Sequence, residues 1–342
     1  MTIAVIVGAT GAVGEDLRRL VAERELPVDQ VRLVASPRSV GRRLAFGGGE
    51  LEVGPLAPEA FDGAELAFFS AGGGVSREWA PVAAARGALV VDNSSAWRMH
   101  PEVPLVDADV NADAARHHPI GIVANPNCTT LAITPVLACL RDLAGLEAVT
   151  ATSFQAAGGS GQRGMDELAE QAAKLVAERD LLRGGGRPEA LPAGATFPRP
   201  LAFNVVPQCG DFAEAGYTVE ELKLRDEPRK ILGLPELVSH PTCVRVPVMV
   251  GHSVSVRALC SRPVDLTELR RRLVAAPGVT VTGGTTGYPT PLEVAGTDGV
   301  FVGRIRADLD DPRAVLFWSV ADNLRKGAAL NAVQIAELLL RG

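Results

Sequence analysis

Cys128 has the sequence setting of a reactive thiol. It lies in Asn125-Pro-Asn-Cys128-Thr-Thr130, and an apolar repeat at helical spacing follows, which predicts a helix that begins near Cys128. The N–H groups and the dipole at a helix N-terminus stabilise a thiolate and lower the thiol pKa. Cys139 lies within the apolar part of that helix and is expected to be inert. The position of Cys128 therefore favours covalent catalysis by a thiolate over simple core packing.

A thiolate nucleophile needs a group that handles protons. Of the five histidines, only His252 has a predicted strand–turn–strand setting, in Arg245-Val-Pro-Val-Met-Val-Gly-His252-Ser. Arg245 belongs to the same segment, and its planar guanidinium suits a substrate carboxylate. The segment thus predicts an acid/base histidine and a carboxylate-binding arginine. A buried structural histidine and a solvated arginine would have the same local sequence.

Three glycines, Gly8, Gly11 and Gly14, separate a buried apolar strand from an amphipathic helix. Such a turn lets backbone N–H groups and a helix N-terminus hold a pyrophosphate, so the segment predicts dinucleotide binding rather than a merely structural turn.

The second predicted strand ends in Ser36-Pro-Arg38-Ser39, where sites specific for NAD usually carry an acidic residue. Hydroxyl groups and an arginine suit a 2'-phosphate, which a carboxylate would repel. The sequence therefore favours NADP. The alternative is a solvated Arg38 in a surface loop.

Thr218-Val-Glu-Glu221 has the form of a capping box, which predicts a helix that starts there. Glu220 and Lys223 then lie three residues apart on one side of this helix. Lysine occupies only four positions of the chain, so Lys223 is a candidate binding residue, although a solvated ion pair would look the same.

Apolar strand-like runs alternate with helical stretches over the first 125 or so residues, which predicts a doubly wound α/β sheet. From about residue 147, longer strands and loops indicate an α+β domain with a mixed or antiparallel sheet. The glycine- and proline-rich residues 183–192 are interpreted as an exposed loop of this second domain. A helix over 323–340 is expected to pack on the first domain. The predicted strands cover residues 2–7, 31–35, 66–69, 88–91, 121–124, 244–250, 253–257 and 299–306.

Length and composition restrict the class of protein. A chain of 342 residues suggests two domains, and 47% hydrophobic with 22% charged residues is typical of globular proteins. The 34 basic and 40 acidic residues give a net charge of −6, so neither nucleic acid nor a membrane is an expected partner. The sequence lacks a long apolar run and a recognisable signal peptide. Five scattered cysteines without a Cys-x-x-Cys pair predict a cytoplasmic protein with no metal site.

Over nearly its whole length, the sequence resembles the aspartate-semialdehyde dehydrogenase family. The matching segments are Gly8-Ala-Thr-Gly-Ala-Val-Gly14, Ser70-Ala-Gly72, Asp92-Asn-Ser-Ser-Ala-Trp-Arg98, Asn125-Pro-Asn-Cys-Thr-Thr130, Ser153-Phe-Gln155, Glu220-Glu-Leu-Lys223, Arg245-Val-Pro-Val-Met-Val-Gly-His-Ser253 and Asp322-Asn-Leu-Arg-Lys-Gly327.

The resemblance implies a role for individual residues. Cys128 would be the nucleophile, His252 the general acid/base, acting as an imidazolium when it protonates the thiohemiacetal, and Gln155 the group that orients the acyl-enzyme. Arg245 and Glu220 would contact the amino-acid end of the substrate. The phosphate would bind to Arg98, Asn127 and Lys223. The implied cofactor-binding residues are Gly8, Thr10, Gly11, Ala12, Val13, Ser36, Arg38, Ser39, Ser70, Ala71, Gly72, Asn93, Gly158, Gly159, Asn323 and Gly327.

The resemblance also implies a fold and a reaction. The fold would be a Rossmann-type NADP-binding domain, residues 1–127 with 323–342, and a catalytic and dimerisation domain, residues 128–322. The reaction would be NADPH-dependent reduction of 4-phospho-L-aspartate to L-aspartate 4-semialdehyde and phosphate, in the biosynthesis of lysine, methionine, threonine and isoleucine. A homodimer or a homotetramer is expected.

Three other assignments fit less well. N-acetyl-γ-glutamyl-phosphate reductase shares the scaffold and NADP, but its cysteine motif has glycine and tyrosine where this chain has Asn127 and Thr129. Glyceraldehyde-phosphate dehydrogenase does not match the segments around Gln155, Lys223 and Arg245. A non-catalytic paralogue would not need to keep the set Cys128, Gln155, Arg245 and His252. One departure from the family is Gly158-Gly159-Ser160-Gly161, where a Ser-Gly pair is usual, so a side-chain role for that hydroxyl is not expected.

Overall fold

The computed structural model describes residues 1–184, 194–284 and 286–340. The chain forms two compact units, the first from residues 1–135, 226–235 and 324–342 and the second from residues 136–225 and 236–323. The domain boundaries expected from the sequence stay a prediction. Most of the predicted loop over residues 183–192 lies outside the described residues.

The first unit contains a seven-stranded sheet in the order β3-β4-β2-β1-β5-β6-β7. All pairs are parallel except β3 with β4, which form an antiparallel hairpin at one edge. Without β3, the order runs from the third strand through the first and out to the sixth, as in Rossmann-type sheets. The predicted doubly wound sheet is confirmed. Its strands are β1 (Ile3–Val7), β2 (Gln30–Ala35), β3 (Arg43–Phe46), β4 (Gly49–Pro55), β5 (Leu66–Phe69), β6 (Leu89–Asp92) and β7 (Ile122–Ala124).

Burial explains why these short apolar runs are strands. Every residue of β1 and β5 is buried, because helices cover both faces of a parallel sheet. The carboxyl ends of parallel strands meet at one edge of the sheet, so the residues that follow β1, β2, β5, β6 and β7 share that edge. The α-helices of the first part of the chain are α1 (Ala12–Glu23), α2 (Gly73–Ala85) and α3 (Cys128–Leu131).

The C-terminal segment returns to the first unit, as expected from its apolar repeat. Its apolar residues pack into the core beside α1 and the sheet. Regular α-helix was predicted from Asn323, but the segment begins as a π-helix, Arg325–Leu330, and becomes α10 only at Asn331–Leu340. Wider helical turns of this kind occur often near functional sites.

The second unit contains a six-stranded mixed sheet in the order β11-β12-β13-β10-β8-β9. β8 pairs in parallel with β9 and antiparallel with β10, so β8 lies between them. The predicted mixed sheet is confirmed. Its strands are β8 (Leu146–Gln155), β9 (Val238–Arg245), β10 (His252–Cys260), β11 (Val279–Val281), β12 (Val300–Ala307) and β13 (Ala314–Ala321). The helices between α3 and α10 are α4 (Thr134–Ala144), α5 (Gly161–Val176), α6 (Arg179–Arg183), α7 (Val219–Leu232), α8 (Leu266–Ala275) and α9 (Pro291–Val294).

The segments after Val244 and after Cys128 differ from the sequence prediction. The strand expected over residues 244–250 was wrong in its second half, since β9 ends at Arg245. Pro247 lacks the N–H that a strand ladder requires. The single helix expected from Cys128 is two helices, because α4 restarts at Thr134 with Pro135 in its first turn.

None of the helices in the described ranges is both long and apolar enough to cross a membrane. The five cysteines all lie within those ranges, and none of them forms a disulfide there.

Gly14 is required by the close approach of α1 to the preceding turn. A Cβ at this position would lie 2.2 Å from the Gly8 carbonyl oxygen. We expect Gly14→Ala to lower the free energy of unfolding by about 2 kcal/mol or more, because the backbone oxygen cannot move without breaking the turn. Urea unfolding measures the change.

Gly74→Ala is the matched control for this prediction. Gly74 lies in α2, and a Cβ there would meet nothing within 4 Å. The free energy of unfolding of the Gly74→Ala variant should stay within about 1 kcal/mol of the wild-type value or rise slightly. Equal losses in both variants would contradict the packing argument.

Candidate active site

Cys128 is the first residue of α3, as predicted, and its side chain is partly exposed. Asn127 caps this helix, because its side-chain oxygen accepts the Thr129 N–H at 2.9 Å and a short hydrogen bond from the Thr129 hydroxyl. The thiol therefore lies where the N–H groups of a helix begin. Asn127 is expected to help bind phosphate, and its amide oxygen is used in the cap.

Arg98 is buried and holds the loop that precedes the cysteine. Its Nε donates to the Asn125 carbonyl at 2.9 Å, and its Nη2 donates to the Asn93 carbonyl at 2.8 Å. Its Nη1 forms an ion pair of 2.9 Å with Glu227, a residue that the sequence did not single out. The second oxygen of Glu227 accepts the Asn127 N–H at 2.7 Å. Arg98 thus has a structural function beside its expected contact with phosphate.

A second buried side chain holds the same loop from the C-terminal helix. Asn331 donates from Nδ2 to the Asn125 side-chain oxygen at 2.6 Å and to the Val106 carbonyl at 2.8 Å. Asn125 donates in turn to the Ala328 carbonyl at 3.3 Å. The residues just before Cys128 are therefore anchored on both sides by buried or partly buried hydrogen bonds.

In the second unit, three predicted residues meet at one end of the sheet. Gln155 is the last residue of β8 and is paired in register with Arg245, the last residue of β9. His252 is the first residue of β10, which runs antiparallel to β8, next to the pair Ser253–Phe154. The topology thus brings the predicted acid/base, acyl-orienting and carboxylate-binding groups together within this unit.

His252 is completely buried, and its ring is held in one tautomer. The Ala156 N–H donates to Nδ1 at 3.0 Å, so Nδ1 is an acceptor and the proton of the neutral ring is on Nε2. Nε2 is buried and has no hydrogen-bond partner in the described part of the chain. Burial, together with the charge of Arg245, lowers the pKa of His252 to about 3, although Glu220 acts in the opposite direction. The imidazolium expected from the sequence does not fit this environment.

Arg245 lies beside the histidine. Its Nη1 donates to the Ala156 carbonyl at 2.6 Å, and its guanidinium lies 5.8 Å from the centre of the Phe197 ring. A Cβ at Gly159 would lie 2.7 Å from Arg245 Nη1 and 3.3 Å from His252 Nε2, so any side chain there would displace the guanidinium of Arg245. A Cβ at Gly158 would lie 2.9 Å from the Met249 carbonyl oxygen, and the usual serine would have to displace that backbone.

A chain of side-chain hydrogen bonds connects β8 to α7. Ser153 donates to the Gln155 side-chain oxygen at 3.0 Å, and Gln155 Nε2 donates to Glu220 at 3.1 Å. Lys223 donates to the other oxygen of Glu220 at 3.0 Å. The predicted capping box is confirmed, since Thr218 and Glu221 exchange side-chain-to-backbone hydrogen bonds. The amide of Gln155 is thereby held in one orientation.

The predicted cofactor residues of the first unit follow the strand ends. Gly8 follows β1 with a φ of +86°, and a Cβ there would lie 2.3 Å from the Ser70 carbonyl oxygen. Gly11 precedes α1 and provides no side-chain cap, so the N–H groups of the first turn, at Ala12 and Val13, remain for a ligand. Thr10 lies in the same turn, Ser36, Arg38 and Ser39 follow β2, and Ser70, Ala71 and Gly72 follow β5.

Two buried side-chain amides, one in each unit, are candidates for contact with a polar ligand. Both side-chain atoms of Asn93, after β6, and Nδ2 of Asn323, after β13, are buried without a hydrogen-bond partner among the described residues. Buried amide atoms are rarely left unpaired, so these are the atoms that a bound polar group would satisfy. Gly327, by contrast, is buried inside the π-helix, next to the Lys326–Asp109 ion pair of 2.6 Å.

The sequence contained one unused signal for the missed Glu227. Glu220, Lys223, Glu227 and Lys230 are spaced three, four and three residues apart, so they share one face of α7. Such alternating charge usually marks a solvated face. Here Glu227 is 1% exposed, and Lys230 donates to three backbone carbonyls, those of Arg98, His100 and Val103. No comparable sequence pattern indicated that the Ala156 N–H and Asn331 take part in the site.

Comparisons with known proteins identify similar domains and similar full-length chains. The domain family described as semialdehyde dehydrogenase, NAD binding domain, matches residues 3–118, and semialdehyde dehydrogenase, dimerisation domain, matches residues 137–326. An aspartate-semialdehyde dehydrogenase of Streptomyces akiyoshiensis is 47% identical over 98% of this chain and 97% of its own length. The aspartate-semialdehyde dehydrogenase of Bacillus subtilis is 41% identical over 98% of this chain and 96% of its own length. The crystal structure of aspartate semialdehyde dehydrogenase II of Vibrio cholerae, complexed with ASA, is 40% identical, covers 100% of this chain and 98% of its own, and has a TM-score of 0.93.

The protonation state of His252 can be tested directly. We expect its ring to remain neutral, with the proton on Nε2, from pH 8 down to pH 5, since its pKa is about 3. Nitrogen NMR of histidine-labelled protein measures this, and His252→Gln identifies the signal. In urea-denatured protein the same ring should titrate near the ordinary value of about 6.5. A transition of His252 near pH 6.5 in the folded protein would contradict the assignment.

The lowered pKa also has a consequence for stability. Between pH 6.5 and 3 the unfolded chain binds a proton at His252 that the folded chain does not, so stability falls as the pH falls through this window. The pH dependence should be less steep in His252→Gln.

Proposed function

Because the chain belongs to the aspartate-semialdehyde dehydrogenase family, we propose that it converts 4-phospho-L-aspartate to L-aspartate 4-semialdehyde and phosphate, with NADPH as reductant. The full-length similarity to enzymes of this name carries the proposal. The reaction belongs to the biosynthesis of lysine through diaminopimelate and of methionine, threonine and isoleucine. A cytoplasmic location stays a prediction.

Cys128 is the nucleophile in this proposal. Its thiolate attacks the acyl carbon of the phosphorylated substrate, the carbon–oxygen bond to phosphate breaks, and a thioester forms on the sulfur. Transfer of a hydride to the thioester carbon gives a thiohemiacetal, which collapses to the aldehyde and returns the thiolate. The hydride becomes the aldehyde hydrogen, and the one proton consumed ends on the released phosphate. The position of Cys128 at the start of α3 supports this role because it favours the thiolate.

His252 acts as an uncharged hydrogen-bond donor. Both tetrahedral intermediates carry an oxyanion, and both collapse without a proton on that oxygen, because phosphate or the thiolate leaves. A donor such as Nε2–H is therefore sufficient, and one well-placed donor to an oxyanion is commonly worth about 3 kcal/mol. The hydrogen bond from the Ala156 N–H to Nδ1 supports this role, since it leaves the ring proton on Nε2.

The charged residues of the second unit bind the amino-acid end of the substrate. Arg245 uses one N–H on the Ala156 carbonyl, and its remaining N–H groups suit the substrate carboxylate. Glu220 suits the substrate ammonium, and Gln155, held between Ser153 and Glu220, orients the acyl group. We assign the phosphate to Lys223, Arg98 and Asn127.

The cofactor is NADP in this proposal. The uncapped start of α1 would hold the pyrophosphate, and Arg38 with Ser36 and Ser39 would hold the 2'-phosphate; the exposed Arg38 and Ser36 fit a charged group. The unpaired amide atoms of Asn93 fit a polar part of the same molecule. When bound, NADPH supplies the hydride. The other expected cofactor residues are Gly8, Thr10, Gly11, Ala12, Val13, Ser70, Ala71, Gly72, Gly158, Gly159, Asn323 and Gly327.

We also propose that the protein is a homodimer that forms through one face of the second sheet. On this face Phe154 and Trp318 contact each other, with ring centres 5.5 Å apart, and both stay partly exposed. Thr152 and Ser255 lie between them and are also partly exposed. The match to a dimerisation domain over residues 137–326 supports a second copy of this chain as the occupant.

A phosphate-dependent assay tests the reaction. We expect reduction of NADP with L-aspartate 4-semialdehyde and phosphate, little reduction with NAD, and little with N-acetylglutamate semialdehyde or glyceraldehyde 3-phosphate. Cys128→Ala should lose all turnover and still bind NADPH, whereas Cys139→Ala, at a thiol whose pKa burial raises, should stay active. Turnover in Cys128→Ala would refute the thioester route, and preference for another aldehyde would refute the substrate.

Sedimentation tests the dimer. Thr152→Glu places a carboxylate in the middle of the exposed face, and we expect a monomer at concentrations where the wild type is dimeric, because a buried unpaired charge is costly. Leu309→Glu is the control, since Leu309 is 99% exposed on a loop. An unchanged mass for Thr152→Glu would contradict this interface.

A further inference from the structure

We infer that Glu227 is a positioning residue, which directs the guanidinium of Arg98 toward the phosphate group of the substrate and holds the backbone in front of Cys128. The inference rests on the proposed function and concerns contacts within the first unit only.

Glu227 is almost completely buried, and both of its oxygens are used. One oxygen accepts Arg98 Nη1 at 2.9 Å, and the other accepts the Asn127 N–H at 2.7 Å. Arg98 is itself 6% exposed. A buried carboxylate is costly unless it is paired and hydrogen-bonded, and here both partners belong to groups assigned to phosphate binding. One side chain therefore sets the position of the arginine and of the residue before the nucleophile.

The pair leaves part of the arginine for a ligand. A guanidinium has five N–H groups, and three of those of Arg98 donate to Asn125, Asn93 and Glu227. One N–H remains on each of Nη1 and Nη2, and such donors suit the oxygens of a phosphate. Without the bond to Glu227, rotation of the guanidinium would no longer be restricted on the Nη1 side.

Lys230 supports the position of this carboxylate. It lies three residues after Glu227 on α7 and donates to the carbonyls of Arg98, His100 and Val103, at 2.8 to 2.9 Å. Burial lowers the pKa of Lys230, so its ammonium group loses a proton more readily than that of a solvated lysine. The loop that carries Arg98 is thus attached to α7 through both its backbone and its side chain.

Glu227→Gln tests the inference with little change in shape. A glutamine amide offers one acceptor where two donors point, so either Arg98 or the Asn127 N–H loses its partner. We expect the KM for phosphate, in the oxidation of L-aspartate 4-semialdehyde, to rise about tenfold or more, as for the loss of a hydrogen bond to a charged group. The KM for the aldehyde should change less than about twofold, because Arg245 and Glu220 bind that end of the substrate.

A double-mutant cycle separates positioning from general destabilisation. If Glu227 acts through Arg98, Glu227→Gln should have little further effect on the phosphate KM in an Arg98→Ala background. Equal effects in both backgrounds would overturn the inference. A Glu227→Gln variant with a changed unfolding midpoint and an unchanged phosphate KM would also overturn the inference.

Two further variants complete the test. Asp226→Asn alters the neighbouring carboxylate, which forms an ion pair of 3.5 Å with Arg229, and should leave the phosphate KM unchanged. Glu227→Asp keeps the charge and should have a phosphate KM between those of the wild type and Glu227→Gln, which keeps the test valid if Glu227→Gln folds poorly. Absence of phosphate-dependent turnover in the wild type would refute the proposed function, whereas an active wild type with an unchanged Glu227→Gln refutes only the positioning role.

Discussion

The backbone from Asn125 to Cys128 is held by buried hydrogen bonds to side chains from distant parts of the first unit. Arg98 binds the Asn125 carbonyl, Glu227 binds the Asn127 N–H, and Asn331 binds the Asn125 side chain. A nucleophile must be held close to its reacting geometry, and a loop achieves this only if its backbone groups are fixed. These three contacts hold the backbone directly before α3, at whose start the proposed nucleophile Cys128 lies.

In the second unit, the ends of neighbouring strands position the candidate site residues. Gln155, Arg245 and His252 terminate or begin three neighbouring strands, so the ladder of the sheet sets their spacing. Backbone groups of Ala156 then fix two of these side chains, since its N–H binds His252 and its carbonyl binds Arg245. The cost is a fully buried imidazole whose Nε2 has no hydrogen-bond partner among the described residues, and buried polar atoms of this kind are uncommon.

Helix α7 shows how one element can serve both purposes. Its first residues, Glu220 and Lys223, group with the second unit, and its later residues, Glu227 and Lys230, group with the first. The four charges share one face by their spacing, but only their surroundings distinguish the proposed substrate-binding pair from the buried residues that hold the loop. Local sequence patterns describe the face and contain no information on what covers it.

The amino-acid sequence by itself determined the element types near the site, because they depend on local signals. The glycine turn after β1, the start of α3 at Cys128 and the capping box at Thr218 all follow from residues within a few positions of each other. The resemblance of whole motifs to a known family also came from sequence alone. The end of β9 at Arg245 and the π-helix at Arg325 did not, since long-range packing sets such boundaries.

Only the tertiary structure decided the protonation of His252 and the role of Glu227. The ring is neutral because it is buried and because a backbone N–H from another strand end points at Nδ1. Glu227 can act as a positioning residue because Arg98, 129 residues away in sequence, is hydrogen-bonded to it. Both depend on contacts between residues far apart in the chain, and desolvation with a specific partner is a property of the folded environment that no local pattern contains.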